Sequence, residues 1–407
     1  MHKRISIFIS IALIGLFLFG CHSDASPKTE EVKEKEVKES KVAKMVKTVA
    51  FGTEKLTFLP NEKCKECHPL IYKEFIKSSH NKSTVFEDEI HAAVWNLHPK
   101  NLKFQQYSCG KCHTPAADNA ADFVTEGIKV LPDANNNTQN QGISCASCHR
   151  IASIEQHESS NTMRFSTEKK TYFGTMPNPK DEPYHDIITN NLSFNRGDVC
   201  LACHSHNLNK SGLAICAMDI EVTAQKTGDN CMYCHMPQVK GSRSTEVISD
   251  THAFHGFPGT HYGQQTLGKY INLQFGRKDN GFVIIVQNQA PHPMFLQPLR
   301  VGKLKVRVLR DGKEIKAFED QLFVKILGKD GKPTFPWQAT EVVKNTILNG
   351  KKAITFEFEE RNLQKGDKIE ITIGYHLVNP KAAPKLKLEK NKEATEFRVI
   401  KSVTFTY

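Results

Sequence analysis

The sequence predicts an α+β chain of several domains: a mainly helical and irregular domain over residues 56–265, then an antiparallel β-sandwich of immunoglobulin-like type over 266–407. Three observations predict it. The frame Cys-x-x-Cys-His occurs five times, and every copy lies between Cys64 and His235. Beyond about residue 265 there is no cysteine, and apolar residues alternate or run in short stretches separated by Asp-Gly and Asn-Gly pairs. Ahead of both parts, an apolar leader is followed by a mixed-charge stretch that can bury no core.

The leader opens with Met1-His2-Lys3-Arg4, a basic start, and continues over residues 5–20 as an apolar run too short to cross a bilayer comfortably. Leu18-Phe19-Gly20-Cys21 resembles a bacterial lipobox. The expectation is therefore export, a signal peptide over 1–20 and lipid on Cys21, with 21–55 as a charged tether. Glu and Lys alternate through residues 26–47 with nothing apolar larger than Val in the most charged part, so no partner is needed to explain it. His22, rather than Asp, follows Cys21, and outer-membrane attachment facing the periplasm or cell surface is the expected localisation.

Each Cys-x-x-Cys-His frame reads as a covalent attachment site for c-type haem. Two thiols separated by two residues can reach both vinyl groups of one porphyrin, and the adjoining imidazole then lies under the iron. The attaching pairs are Cys64 and Cys67, Cys109 and Cys112, Cys145 and Cys148, Cys200 and Cys203, and Cys231 and Cys234. The proximal ligands are His68, His113, His149, His204 and His235. A zinc ribbon would pair such cysteines without an invariable trailing His. Of twelve cysteines, ten belong to these frames, Cys21 ends the leader and only Cys216 is left, so a disulfide framework has no support; Cys216 reads as a small buried hydrophobe. Five haem c groups over this stretch leave roughly 34 residues for each, which places neighbouring macrocycles close together.

Little apolar periodicity surrounds the motifs. Helical turns are expected near 69–77 and 87–97, with Phe75, Phe86, Val94 and Trp95 as apolar contacts. In the second half, strands are expected over 270–275, 282–288, 304–309, 322–327, 353–358, 369–375 and 397–405, with turns at Asp311-Gly312, Asp330-Gly331 and Asn349-Gly350. About seven strands of this kind favour a sandwich over a parallel sheet.

Each iron needs a second axial ligand or stays open. Eighteen His are present, five of them proximal and two, His2 and His22, in the leader region, so eleven remain; Met is scarcer, and bis-His coordination is expected.

Several phrases carry a resemblance: Cys67-His68-Pro69 with Phe75 and Ser79-His80, Gly142-Ile143-Ser144-Cys145, Pro183-Tyr184-His185, Cys234-His235-Met236-Pro237, Thr251-His252-Ala253-Phe254, and Ala290-Pro291-His292-Pro293. Through them, residues 64 to about 300 resemble the multihaem c-type cytochromes related to the tetrahaem electron carriers of ammonia oxidisers. The resemblance implies that His80, His185, His252 and His292 are distal ligands. His255 and His261 stand close enough to take the place of His252. For the fifth iron His206, His98 and His157 compete, with His206 taken as the candidate, and an open iron is the alternative.

Two function classes follow. With every iron six-coordinate, the chain relays electrons between redox partner proteins. With one iron open, it is a reductase or oxidoreductase acting on a small nitrogen or sulfur compound. The surplus of His favours the relay, and no Cys-x-x-Cys-Lys frame is present. A third reading is a subunit of a haem filament, against which a lipid anchor argues. The formal net charge of +11 overstates the basicity of a protein carrying haem propionates, and no aromatic-basic pattern points to nucleic acid.

Overall fold

The computed structural model describes residues 46–104, 106–176, 184–216, 230–261 and 263–407. The leader, Cys21 and the tether up to residue 45 lie outside the described residues, as does Pro183. Residues 46–407 form one compact unit of the α+β class.

In the first half, short helices hang between the motifs. Pro69–Phe75 and Glu89–Leu97 fall where helical turns are expected. The second begins at Asp88, whose side chain accepts from the backbone N–H of Ile90 and His91 at 2.9 and 3.0 Å, so two of the orphan donors of the first turn are satisfied. Its faces then serve different neighbours. Trp95 packs with Tyr107 and Phe123, while Ile90, Val94 and Leu97 pack on a cluster containing Val378, Leu386 and Leu388 from the second half. A small antiparallel sheet of Thr48–Ala50, Thr162–Ser166 and Ile151–Glu155 closes the remaining side around Phe51, Phe58 and Phe165.

The second half is a sandwich of two sheets. One sheet holds β1 (Ile271–Lys278), β2 (Gly281–Asn288) and β5 (Ala353–Glu359), in the order β5-β2-β1. The other holds β3 (Val301–Arg310), β4 (Lys313–Ala317), β6 (Lys368–His376) and β7 (Arg398–Thr406), in the order β4-β3-β6-β7. The chain therefore crosses between sheets after β2 and returns with β5. Alternate residues point inward: Ile284 and Val286 of β2 meet Leu304 and Val306 of β3 and Ile369, Ile371 and Ile373 of β6 in one buried cluster. Asp311-Gly312 and Asp330-Gly331 adopt positive φ at both residues, at 49° and 77° and at 51° and 70°, as two-residue hairpin turns require.

The single strand expected over 322–327 is two strands. Gln321–Phe323 pairs with β3, whereas Lys325–Lys329 joins a separate sheet with Lys332–Pro333 and Glu341–Asn345. The chain changes sheet at Val324, whose backbone N–H donates to Thr346 Oγ1 at 3.1 Å and whose carbonyl accepts from Thr346 N–H at 2.8 Å. Residues 336 and 339 of the adjoining loop reach back to the first half, where Asn209 Nδ2 donates to the carbonyls of Pro336 and Ala339, each at 2.9 Å.

Candidate haem centres

Each motif is built as a single helical turn. The backbone N–H of the His donates to the carbonyl of the first Cys in His68, His113 and His204, at 2.9, 3.0 and 2.9 Å, so both cysteines and the imidazole share one face. Local residues start these turns. Ser144 and Ser147 form a reciprocal capping box ahead of Cys145–His149, and Asn230 accepts from Met232 N–H ahead of Cys231–His235.

The proximal imidazoles are oriented by backbone carbonyls. Nδ1–H of His68 donates to Arg243 O at 2.7 Å, that of His113 to Ser83 O at 2.8 Å, that of His149 to Phe173 O at 2.7 Å and that of His235 to Pro258 O at 2.8 Å. A proton fixed on Nδ1 leaves Nε2 with its lone pair, the state a metal requires.

Four of these rings face a second imidazole. Centroids are 6.3 Å apart for His68 and His185, 6.0 Å for His204 and His80, 6.3 Å for His149 and His255, and 6.2 Å for His235 and His292. Two metal–nitrogen bonds of about 2 Å, plus the half-width of each ring, account for a separation of about 6 Å, so these pairs fit one metal between them. Burial pushes His80 down to about 3, His255 to about 3 and His204 to about 4, which holds the rings neutral.

His252 is a correction. Its Nδ1 contacts Gly241 O at 2.9 Å and its Nε2 contacts Glu74 Oε1 at 3.0 Å, so both ring nitrogens are engaged and neither is available to iron. His255 occupies the position opposite His149 instead. Glu74 organises the exchange, because its Oε2 also accepts from the backbone N–H of His255 at 3.0 Å. Sequence reasoning missed Glu74; a carboxylate on a short helix 178 residues from its imidazole partner leaves no local signal.

His113 is different. The ring it meets is His91, stacked at 3.8 Å with an interplanar angle of 3°, which puts the two imidazoles side by side rather than across a metal. His91 Nε2 lies 2.7 Å from Tyr107 Oη. None of the expected fifth ligands takes the opposing position. His206 is corrected because its Nε2–H donates to the carbonyl of His157 at 2.6 Å. His98 accepts from Lys100 N–H at 3.1 Å and packs its edge on Trp337, and His157 lies 3.8 Å from Glu155. Cys216 ends a loop closed by Ile215 N–H to Asn207 O and faces the same cavity as the motifs, beside Cys109 and Cys112, and burial there pushes its thiol up to about 11.

The motifs are neighbours. Cys64 with Cys145, Cys112 with Cys203, and Cys200 with Cys231 interact electrostatically, and Cys148 lies within electrostatic reach of Cys200 and Cys203. These sulfurs stand for the thioethers they become once haem is attached. These interactions run from the first motif to the third and on to the fourth, which neighbours both the second and the fifth. All five motifs and their facing imidazoles line one continuous cavity of about 2890 Å³ whose surface is mainly apolar, a fit for stacked macrocycles rather than for bare ions.

Residues 63–150 match the family described as cytochrome c554 and c-prime. The fold is similar to that of a penta-heme cytochrome c552 from Thermochromatium tepidum, with a TM-score of 0.68 and 19% identity over 86% of this chain and 99% of that one. No curated protein matches the sequence.

Proposed function

We propose that this chain is a multihaem c-type cytochrome that relays single electrons along five covalently bound haem c groups between redox partner proteins. Bound haem c supplies reversible one-electron chemistry at its iron. The protein's share is placement. Imidazole pairs His68 and His185, His204 and His80, His149 and His255, and His235 and His292 hold iron from both faces and exclude other ligands. The observation that carries the reading is the one continuous cavity lined by all five motifs and by the four imidazole pairs, with neighbouring motifs in electrostatic reach from Cys64 and Cys145 through Cys148 to Cys200, Cys203 and Cys231. Sites that share one cavity permit transfer without a diffusing carrier.

The fourth motif is the junction, and the second branches from it at Cys112 and Cys203. The stacked His91 beside His113 favours a second reading for that branch, an iron with one open face that takes a small nitrogen or sulfur compound. The sandwich, which we read as immunoglobulin-like from its strand order, caps the cavity and supplies His292. Lipid on Cys21 would hold the protein at a membrane, the outer one by our reading, with the charged stretch as tether; it is shorter than the expected 21–55, because Thr48–Ala50 and Phe51 belong to the folded body.

Intact-mass measurement of the mature protein tests the count and the anchor together, and five haems with lipid on Cys21 and nothing before it are expected. Fewer haems would break the relay as drawn, and an intact leader would remove the anchor. Redox titration should then resolve several one-electron steps.

A further inference from the structure

Arg300 immediately precedes β3, eight residues after His292, and is buried, 9% exposed, in the wall of the cavity. Its Nε has no hydrogen-bond partner, and no carboxylate among the described residues pairs with it. The neighbours supply no anion. Tyr375 offers the guanidinium a ring face with its centroid at 6.0 Å, and Arg398 and His261 are the other charged and titratable groups near it. Arg398 is already matched by Glu396 at 3.0 Å. Burial pushes the Arg300 guanidinium down to about 10, with Arg398 adding to the effect. A buried cation left unpaired is among the costliest arrangements in a folded chain, so an anion is called for.

The surroundings indicate which one. Tyr375 Oη donates to Thr260 O at 2.5 Å and Arg398 Nη1 donates to His261 O at 3.5 Å, which ties the 260–261 loop to β6 and β7. Two residues earlier in that loop, Pro258 O accepts from Nδ1–H of proximal His235, whose ring faces His292 at 6.2 Å. We propose that Arg300 is a buried carboxylate site that takes a propionate of the haem c attached at Cys231 and Cys234. The inference rests on haem attachment at that motif. It makes the sandwich a partner of this haem twice over, through an axial imidazole and through a charge-assisted hydrogen bond.

The test uses the full-length holoprotein. In Arg300→Gln, haem content by mass should be unchanged and one redox transition should move to lower potential, because removing a cation beside the haem destabilises the more electron-rich state; Arg300→Lys should restore most of the shift. Unmoved transitions in a fully haem-loaded Arg300→Gln overturn the inference while leaving the relay intact, whereas missing haem at Cys231 in the unaltered protein overturns the relay reading first. Added nitrite or inorganic phosphate that shifts the unaltered protein saturably, and not Arg300→Gln, would assign the site to a free anion and overturn the propionate. Should the variants not assemble, a crystal structure of the unaltered holoprotein decides: a propionate oxygen within about 3 Å of the guanidinium is expected, and a water or a free anion there contradicts it.

Discussion

The rings of His235 and His292 face each other at 6.2 Å, and they come from the two halves of the chain: His235 ends the last motif helix, and His292 sits in the loop after β2. Asn288, the last residue of β2, shapes that loop by donating from Nδ2 to the carbonyls of His292 and Leu348 at 2.9 and 3.1 Å. Iron held by this pair would be a crosslink between halves. His292→Ala should therefore convert one low-spin haem to high spin and lower the thermal midpoint of the whole protein, read by visible absorbance and calorimetry. An unchanged spectrum would make the sandwich a passive neighbour.

His252 and His255 are three residues apart and should behave oppositely. His255→Ala should turn one low-spin haem high-spin. His252→Ala should keep the spin state but cost about 1–3 kcal/mol of stability, since it removes the imidazole partner of the largely covered Glu74 carboxylate and leaves it only the His255 N–H. Electron paramagnetic resonance and denaturant unfolding of the two variants separate these outcomes.

Gly142 has φ +66°, and a Cβ there would meet the carbonyl oxygens of Asn81 at 2.6 Å and His80 at 2.8 Å. Gly142→Ala should cost at least about 1–2 kcal/mol for the left-handed backbone alone, with the clash added. Because the next residue, Ile143, donates its N–H to His80 O at 3.0 Å, the haem held by His204 and His80 should be the one whose spectrum changes.

Arg310 donates from Nε and Nη2 to the two carboxylate oxygens of Asp367, each at 2.9 Å, and this hydrogen bonding holds the carboxyl below its ordinary value. With the folded value below the unfolded one, the stabilisation is present above the unfolded pKa of about 3.9 and is lost as pH falls through the folded value. Asp367→Asn should accordingly lower the thermal midpoint at pH 7, and the gap to the unaltered protein should close on acidification below the ordinary carboxyl range. A gap independent of pH would mean the pair contributes through packing alone.

The geometry of the Cys-x-x-Cys-His frames was legible because it is local: five residues within one helical turn bring two thiols and an imidazole to one face. The sandwich strands were legible for the same reason, since alternation such as that of Phe282, Ile284 and Val286 needs only neighbours in sequence. Distal imidazoles were harder, because His185 and its partner His68 are joined by tertiary structure alone. The choice between His252 and His255 turned on Glu74, far away in the chain, and the switch of sheets at Val324 turned on Thr346, neither of which has a periodic signature. Arg300 was silent in sequence, since nothing about an isolated arginine reports burial.

The most direct measurement is low-temperature electron paramagnetic resonance of the fully oxidised holoprotein with spin quantitation. Four irons should give low-spin signals of bis-His type, and one, at His113, should be high-spin and respond to an added small ligand such as nitrite. Two or more high-spin irons would contradict the imidazole pairs at 6.0–6.3 Å as ligand sets, and five low-spin irons insensitive to ligand would contradict the open face assigned beside His91.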